Sequence, residues 1–200
     1  MARKHVLVEI FDCSRKRYRT AHAYQGLSVD NLRELDIFRQ QSSKYHSPFW
    51  RLLIPKPGPA SHWHWPSKIQ HYRGHKGIDV WAIEHPKKKS LFRPHLQGVI
   101  MVCPMTSPTG SGSFLLEIKY VVASPANQRK VLWGVKLKPR FSVGAALLEL
   151  AAAKSELLGF GRAVGLYSLS EAETFYSKAG LKRYPSIRDA EGLVYFEGVL

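Results

Sequence analysis

Apolar residues in this chain fall into short blocks, and the period within each block indicates its element. Residues 4–11 (KHVLVEIF) alternate as an edge strand does. In 28–45, Leu32, Leu35 and Phe38 recur at helical spacing behind Ser28 or Asp30, either of which can cap a helix. Residues 54–68 (IPKPGPASHWHWPSK) carry four prolines and are expected to be irregular. Asp79–Glu84 (DVWAIE) and residues 97–102 (QGVIMV) are predicted strands, joined by the basic loop HPKKKSLFRPH (85–95). A turn, SPTGSG, precedes the strongest strand of the chain, FLLEIKYVVA (114–123). After an excursion over 124–140, the pattern predicts a helix at 143–158, a strand at 163–168 and a helix at 170–179 closed by Gly180. The last strand predicted is 192–200. From residue 79 the order is β, β, β, α, β, α, β, which implies an α/β fold with a mixed sheet flanked by helices. There is no internal repeat and no low-complexity segment.

Charge changes this picture. The net charge is +15, and it is unevenly distributed. Residues 37–148 hold seventeen Lys/Arg against Asp79, Glu84 and Glu117 alone, whereas residues 149–200 hold six basic and seven acidic residues. Such a field suits a polyanionic partner, whether RNA, the ribosome or DNA. No run approaches the ~20 apolar residues of a membrane-spanning helix, so no membrane partner is expected. The first residues read as a strand rather than a signal peptide. Cys13 and Cys103 stand apart with no CxxC spacing, which points to a reducing, cytoplasmic setting. Oligomeric state leaves no mark in the sequence.

Three segments, in this order, resemble the GNAT N-acetyltransferase superfamily. The first is LLEIKYVVASP (115–125). The resemblance implies a central strand that splays from its neighbour and whose backbone at Val121, Val122 and Ala123 binds the pantetheine arm of acetyl-CoA. It also implies that Glu117 is a general base, because an ammonium becomes a nucleophile only after losing a proton. The second is RFSVGAALLELAAAKSEL (140–157), a loop opening into a helix. It stands where the family's Q/R-x-x-G-x-G/A loop holds the pyrophosphate on backbone amides and the positive end of a helix. Arg140, Phe141, Ser142, Val143, Gly144 and Ala145 would supply that cradle. Pro139 replaces the motif's Q/R and Ser142 its first Gly; only Gly144 and the helix are retained. The third is SLSEAETFYSKAGL (168–181), similar to A-x-x-x-Y-x-x-x-G-F through Ala172, Tyr176, Gly180 and Leu181. The implied role of Tyr176 is to donate to the departing CoA thiolate.

The resemblance covers residues 79–200 as an acyl-CoA-binding core. Residues 1–78 form a basic, aromatic- and His-rich part that completes one elaborated GNAT-like domain of 200 residues. Within 37–78 there is no acid, but there are seven Lys/Arg, five His and seven aromatics. Aromatics among cations suit base stacking and phosphate contacts. His62, His64, His71 and His75 raise a metal reading, but no carboxylate or Cys accompanies them, and no metal is expected. His71-Tyr72-Arg73-Gly74 is similar to a stretch of Mom-type DNA-modifying proteins on the same fold. The expected function is an acyl-CoA-dependent N-acyltransferase whose amine is presented on a nucleic-acid or ribosome-associated carrier. The alternatives are a degenerate GNAT-fold nucleic-acid-binding protein and a base-modifying enzyme on that scaffold.

Overall fold

The computed structural model describes residues 4–27, 72, 77–84, 96–124, 127, 130–132, 135–137 and 142–200, with the 130–132 and 135–137 segments described by backbone only. In chain order the strands are β1 (His5–Asp12), β2 (Arg17–Gln25), β3 (Asp79–Glu84), β4 (Leu96–Thr106), β5 (Phe114–Ala123), β6 (Lys130–Leu132), β7 (Val135–Leu137), β8 (Ala163–Ser168), β9 (Lys182–Arg188) and β10 (Val194–Val199). The helices are α1 (Val143–Leu157) and α2 (Glu173–Lys178), the latter preceded by a 3-10 turn at Ser170–Ala172. Eight strands form one sheet in the order β1-β2-β3-β4-β5-β8-β10-β9, and β6 and β7 form a separate hairpin. The pairing of β5 with β8 is parallel, whereas β1–β2, β2–β3, β8–β10 and β9–β10 are antiparallel. This is the mixed α/β class expected from the sequence. The helix expected at 28–45, the proline-rich stretch and the 85–95 loop lie outside the described residues.

The chain folds as two compact units, neither of them contiguous. The first comprises Met1–Lys76, Val80–Val99 and Val122–Gly144, and the second Gly77–Asp79, Ile100–Val121 and Ala145–Leu200. In the first, the β1–β2 hairpin buries Ile10, Asp12, Ala21 and Ala23 on one side. Its turn is organised by Asp12. One carboxylate oxygen accepts the Ser14 hydroxyl at 2.6 Å and the backbone N–H groups of Ser14 and Arg15 at 3.1 Å each. The other lies 2.9 Å from Arg19 Nε. Burial by itself would raise the Asp12 carboxyl. The Ser14 hydroxyl, the two amides and the Arg19 charge outweigh it and bring the group from 3.8 to about 2. At the end of β5, Asn127 Nδ2 donates to Gln97 Oε1 at 3.0 Å and to Ser124 Oγ at 2.9 Å, and Ser124 N–H donates to Gln97 O at 2.8 Å. All three side chains are buried, so their polar groups must pair in this way.

In the second unit, Gly165 of β8 stands opposite Glu117 in β5 and Glu197 in β10. A Cβ at position 165 would collide with the Tyr195 hydroxyl and come within 3.1 Å of Leu115. The glycine is therefore what lets the Tyr195 ring lie across β8. That ring's hydroxyl donates to Glu197 Oε2 at 2.9 Å, and the same oxygen accepts Ser107 Oγ at 2.5 Å. At the end of α1, Ser155 Oγ donates to Ala163 O at 2.6 Å and Lys154 pairs with Asp79 at 2.8 Å. Arg162, with φ 64°, spans Glu149 at 2.9 Å and Glu156 at 3.5 Å, and its Nε donates to Leu200 O.

Several elements differ from the sequence expectation. β2, β9 and the β6–β7 hairpin were not anticipated. The helix expected at 170–179 is a 3-10 turn followed by only six α-helical residues, closed as expected at Gly180 with φ 96°. β4 extends four residues beyond the 97–102 block. Its first seven residues are buried, which is why they read as a continuous apolar run rather than an alternation.

Gly165→Ala is expected to lower stability by about 1–3 kcal/mol, a fall in melting temperature of at least about 2 °C in a chain of this size. Asp12→Asn should cost about 1 kcal/mol at neutral pH. Because the folded carboxyl titrates below its unfolded value, the Asp12 contribution is complete above pH about 4. It fades as pH falls toward about 2. Thermal melts of both proteins across pH 2–7 would therefore converge at the acid end.

Candidate active site

Glu117 and Lys119 are two residues apart in β5 and so share one face of the sheet. Glu117 is 6% exposed, and a carboxylate so placed needs partners. Lys119 Nζ lies 2.6 Å from Glu117 Oε2, and the Cys103 thiol points at the same oxygen from 3.7 Å. The charge on Glu117 also reaches two phenols. Tyr167 is held above its ordinary pKa by burial first and then by Glu117 and Asp189. Tyr195 is held up by burial, by its hydrogen bond to Glu197 and, more weakly, by Glu117. Cys103 is pushed up to about 11 by burial and by the neighbouring carboxylate, Lys119 acting the other way. At neutral pH Cys103 is a thiol and a poor nucleophile. The group thus consists of a buried carboxylate, the exposed ammonium paired with it and neutral O–H and S–H donors.

Tyr176 stands apart from that group. It is 6% exposed within α2, and its ring packs against Phe175 and Phe196 with centroids 5.2 and 6.1 Å away. Burial alone pushes its phenol up to about 12. Its hydroxyl makes no hydrogen bond among the described residues. Glu117 contributes nothing to that shift, so the two residues do not form a coupled pair. Phe175 is 40% exposed, while Leu181 is buried.

Val121, Val122 and Ala123 form the half-buried end of β5. The ladder between β5 and β8 comprises two residue pairs, Leu116↔Val164 and Glu117↔Gly165, although β8 pairs with β10 along all six residues. Beyond Glu117, β5 therefore leaves its parallel neighbour, as the resemblance implied for the central strand. On its other side β5 remains tied to β4 through Ser124 and Gln97. Of the expected phosphate cradle, Arg140 and Phe141 lie outside the described residues. Ser142 is exposed, and its N–H donates to Phe11 O at 3.0 Å, so that amide is already engaged. Val143, Gly144 and Ala145 open α1, where the first amides of a helix lack intrahelical acceptors. The histidine positions 62, 64, 71 and 75 lie outside the described residues, and the described residues contain no cluster of three metal-ligating side chains.

Sequence reading named Glu117, which lies in this group, and Tyr176, which lies apart from it; it did not name Cys103, Lys119, Tyr167, Tyr195 or Glu197. The one available signal was the two-residue spacing of Glu117 and Lys119 in a predicted strand. No helix among the described residues is long and apolar enough to cross a membrane, and both cysteines are free.

No family model and no curated protein sequence matches the chain. Solved structures similar to it include the PaiA N-acetyltransferase of Thermoplasma acidophilum in complex with coenzyme A, at 16% identity, with 89% of this chain and 99% of that chain covered and a TM-score of 0.49. A histone acetyltransferase HPA2 and related acetyltransferase from Corynebacterium glutamicum is similar at 13% identity, 88% and 94% coverage and a TM-score of 0.49. NAA60 of Arabidopsis thaliana, in complex with a bisubstrate analogue, is similar at 12% identity, 88% and 97% coverage and a TM-score of 0.48. None of these likenesses carries a residue's role or a substrate over to this chain.

The electrostatics around Glu117 are open to direct measurement. Cys103 should alkylate with iodoacetamide slowly at pH 8, as expected of a thiol held at about 11. Glu117→Gln should speed that labelling several-fold by removing the charge that disfavours the thiolate, and Lys119→Gln should slow it. Unchanged rates in both variants would mean that Glu117 does not govern the thiol.

Proposed function

We infer that this chain is an acyl-CoA-dependent N-acyltransferase with acetyl-CoA as donor. The observation that carries the reading is the early end of the β5–β8 ladder at Glu117. A parallel pair that parts in mid-sheet offers backbone donors and acceptors at Val121 and Val122 to an amide-bearing pantetheine arm that runs on past Ala123. The first amides of α1, at Val143, Gly144 and Ala145, would face the pyrophosphate, with Arg140 and Phe141 completing the loop. Ser142 N–H is not counted among them, since Phe11 O already accepts from it.

In this mechanism the incoming ammonium displaces Lys119 from Glu117 and gives up a proton to the carboxylate, directly or through water. The free amine attacks the thioester carbonyl, an N–C bond forms, the nitrogen loses its second proton to water, the C–S bond breaks, and CoA leaves as the thiolate. Complete proton transfer from a phenol at about 12 to a thiolate near 8.5 is uphill by about 5 kcal/mol. Tyr176 therefore serves as a hydrogen-bond donor to the departing sulfur, a role for which burial keeps it neutral. The amine is carried on a nucleic-acid or ribosome-associated acceptor; the support is the concentration of positive charge in residues 37–148.

A second reading, a GNAT scaffold kept for nucleic-acid binding, draws support from the engaged Ser142 amide and from Lys119 occupying Glu117.

Calorimetry with acetyl-CoA on the intact protein separates the two, since absence of binding at millimolar donor would exclude the enzyme. If donor binds, Glu117→Gln is expected to lower turnover on an amine acceptor by about 100-fold or more. Tyr176→Phe should lower it by about 10–100-fold while leaving acetyl-CoA affinity unchanged. Full turnover in both variants would refute these roles.

A further inference from the structure

The β1–β2 hairpin has one face opposite the side chains it buries. Directly paired residues of an antiparallel ladder share a face. The pairs His5↔Tyr24, Leu7↔His22, Glu9↔Thr20 and Phe11↔Tyr18 therefore lie on the side opposite the buried Ile10, Ala21 and Ala23. Five of those eight side chains are rings, and they are not scattered. Phe11 and Tyr18 meet edge-on at 5.2 Å, with Tyr18 65% exposed. At the other end His5, His22 and Tyr24 form a cluster with centroids 5.2–5.9 Å apart, the His22–Tyr24 pair stacked at 18°. Leu7, also 65% exposed, adjoins that cluster. Six residues separate the two ring groups along the strand, a distance of about 20 Å.

Exposed His5, Leu7 and Tyr18, beside the half-buried rings of Phe11, His22 and Tyr24, need a reason, because solvent disfavours large apolar surfaces. The charges around them identify the partner. Lys4 at one end, and Arg15, Lys16 and Arg17 at the turn, are all exposed, and Glu9 is the single acid on the face. Asp12 pairs with Arg19 and the turn amides, so its charge is spent within the hairpin and the turn cations remain outside it. A protein partner docking through rings alone would gain nothing from cations at both ends. A polyanion that also offers flat rings uses both features. Single-stranded nucleic acid has both, whereas a duplex hides its base faces.

We propose that this exposed hairpin face binds single-stranded nucleic acid. Bases stack on Tyr18 at one end and on His5 at the other, while Lys4, Arg15, Lys16 and Arg17 contact phosphates. The site lies outside the acid-poor 37–148 stretch that composition singled out, and it does not depend on acyl transfer.

The test is fluorescence anisotropy of the full-length protein with labelled oligo(U) and oligo(dT) 15-mers, together with a duplex of the same length. Binding to the single strands is expected to exceed binding to the duplex. Tyr18→Ser should weaken oligo(U) binding about 5–100-fold with the salt slope unchanged. Tyr18→Trp should restore the affinity. The triple variant Arg15→Gln, Lys16→Gln, Arg17→Gln should instead flatten the salt dependence by about 2 in log–log slope. Melting temperatures of the variants should match the parent, since Tyr18 and the turn cations are exposed. Three results would overturn the proposal: Tyr18→Ser binding as well as the parent, equal preference for duplex, or Tyr18→Ser changing only a self-association seen by sedimentation. The last would make the face a protein interface.

Discussion

The absent side chain at Gly165 is the constraint on which the second unit's sheet depends. Tyr195 can cross β8 only because position 165 offers no Cβ, and the crossing places the phenol on Glu197. Glu197 in turn receives Ser107 from a turn 90 residues away in sequence. The same glycine faces Glu117 across the parallel pair, which is the last pair before β5 and β8 separate. One position thus serves packing, a buried hydrogen-bond network and the point where the sheet opens. A larger residue there would disturb all three together, which is why its cost should exceed that of an ordinary strand substitution.

The charge around Glu117 contrasts with that of the chain as a whole. In a protein of net charge +15, the second unit gathers two carboxylates, Glu117 and Glu197, on one side of three adjacent strands among tyrosines and a thiol. Burial first, and then the nearby carboxylates, keep Cys103, Tyr167 and Tyr195 in their neutral forms. A cationic group approaching this spot meets attraction at short range. Lys119 already makes use of it.

How much the sequence disclosed depended on what was buried against what. β3, β5 and β8 were legible at their bounds, since each is a block of β-branched and aromatic residues between turn formers. β2 was hidden. Its buried positions are Ala21 and Ala23, which pair with Val8 and Val6, and small residues flanked by Arg, His and Tyr give hydropathy no alternation to detect. β9 was hidden by Pro185, and β6–β7 by hairpin strands of three residues each. Glu117 and Tyr176 were singled out through motif spacing, which is local. The partners of Glu117 come from β4, β8 and β10, and only the sheet order brings them together. The engagement of Ser142 by Phe11 was likewise beyond reach, because it is a backbone contact between segments 131 positions apart.

The irregularity in β9 has a consequence for how the chain behaves in company. Between Val194 and Tyr195 the register with β10 slips, and Pro185 falls in the looped-out part of β9. A proline there has no N–H to offer a further strand, and exposed Lys182, Arg183 and Arg188 repel a like-charged neighbour. This margin of the sheet is therefore unsuited to recruiting another copy during synthesis or at high concentration. β1, the opposite margin, contains neither a proline nor a slipped register. Edge-to-edge aggregation, where it occurs, would start there, and a lysine or proline placed in β1 would be the economical way to suppress it.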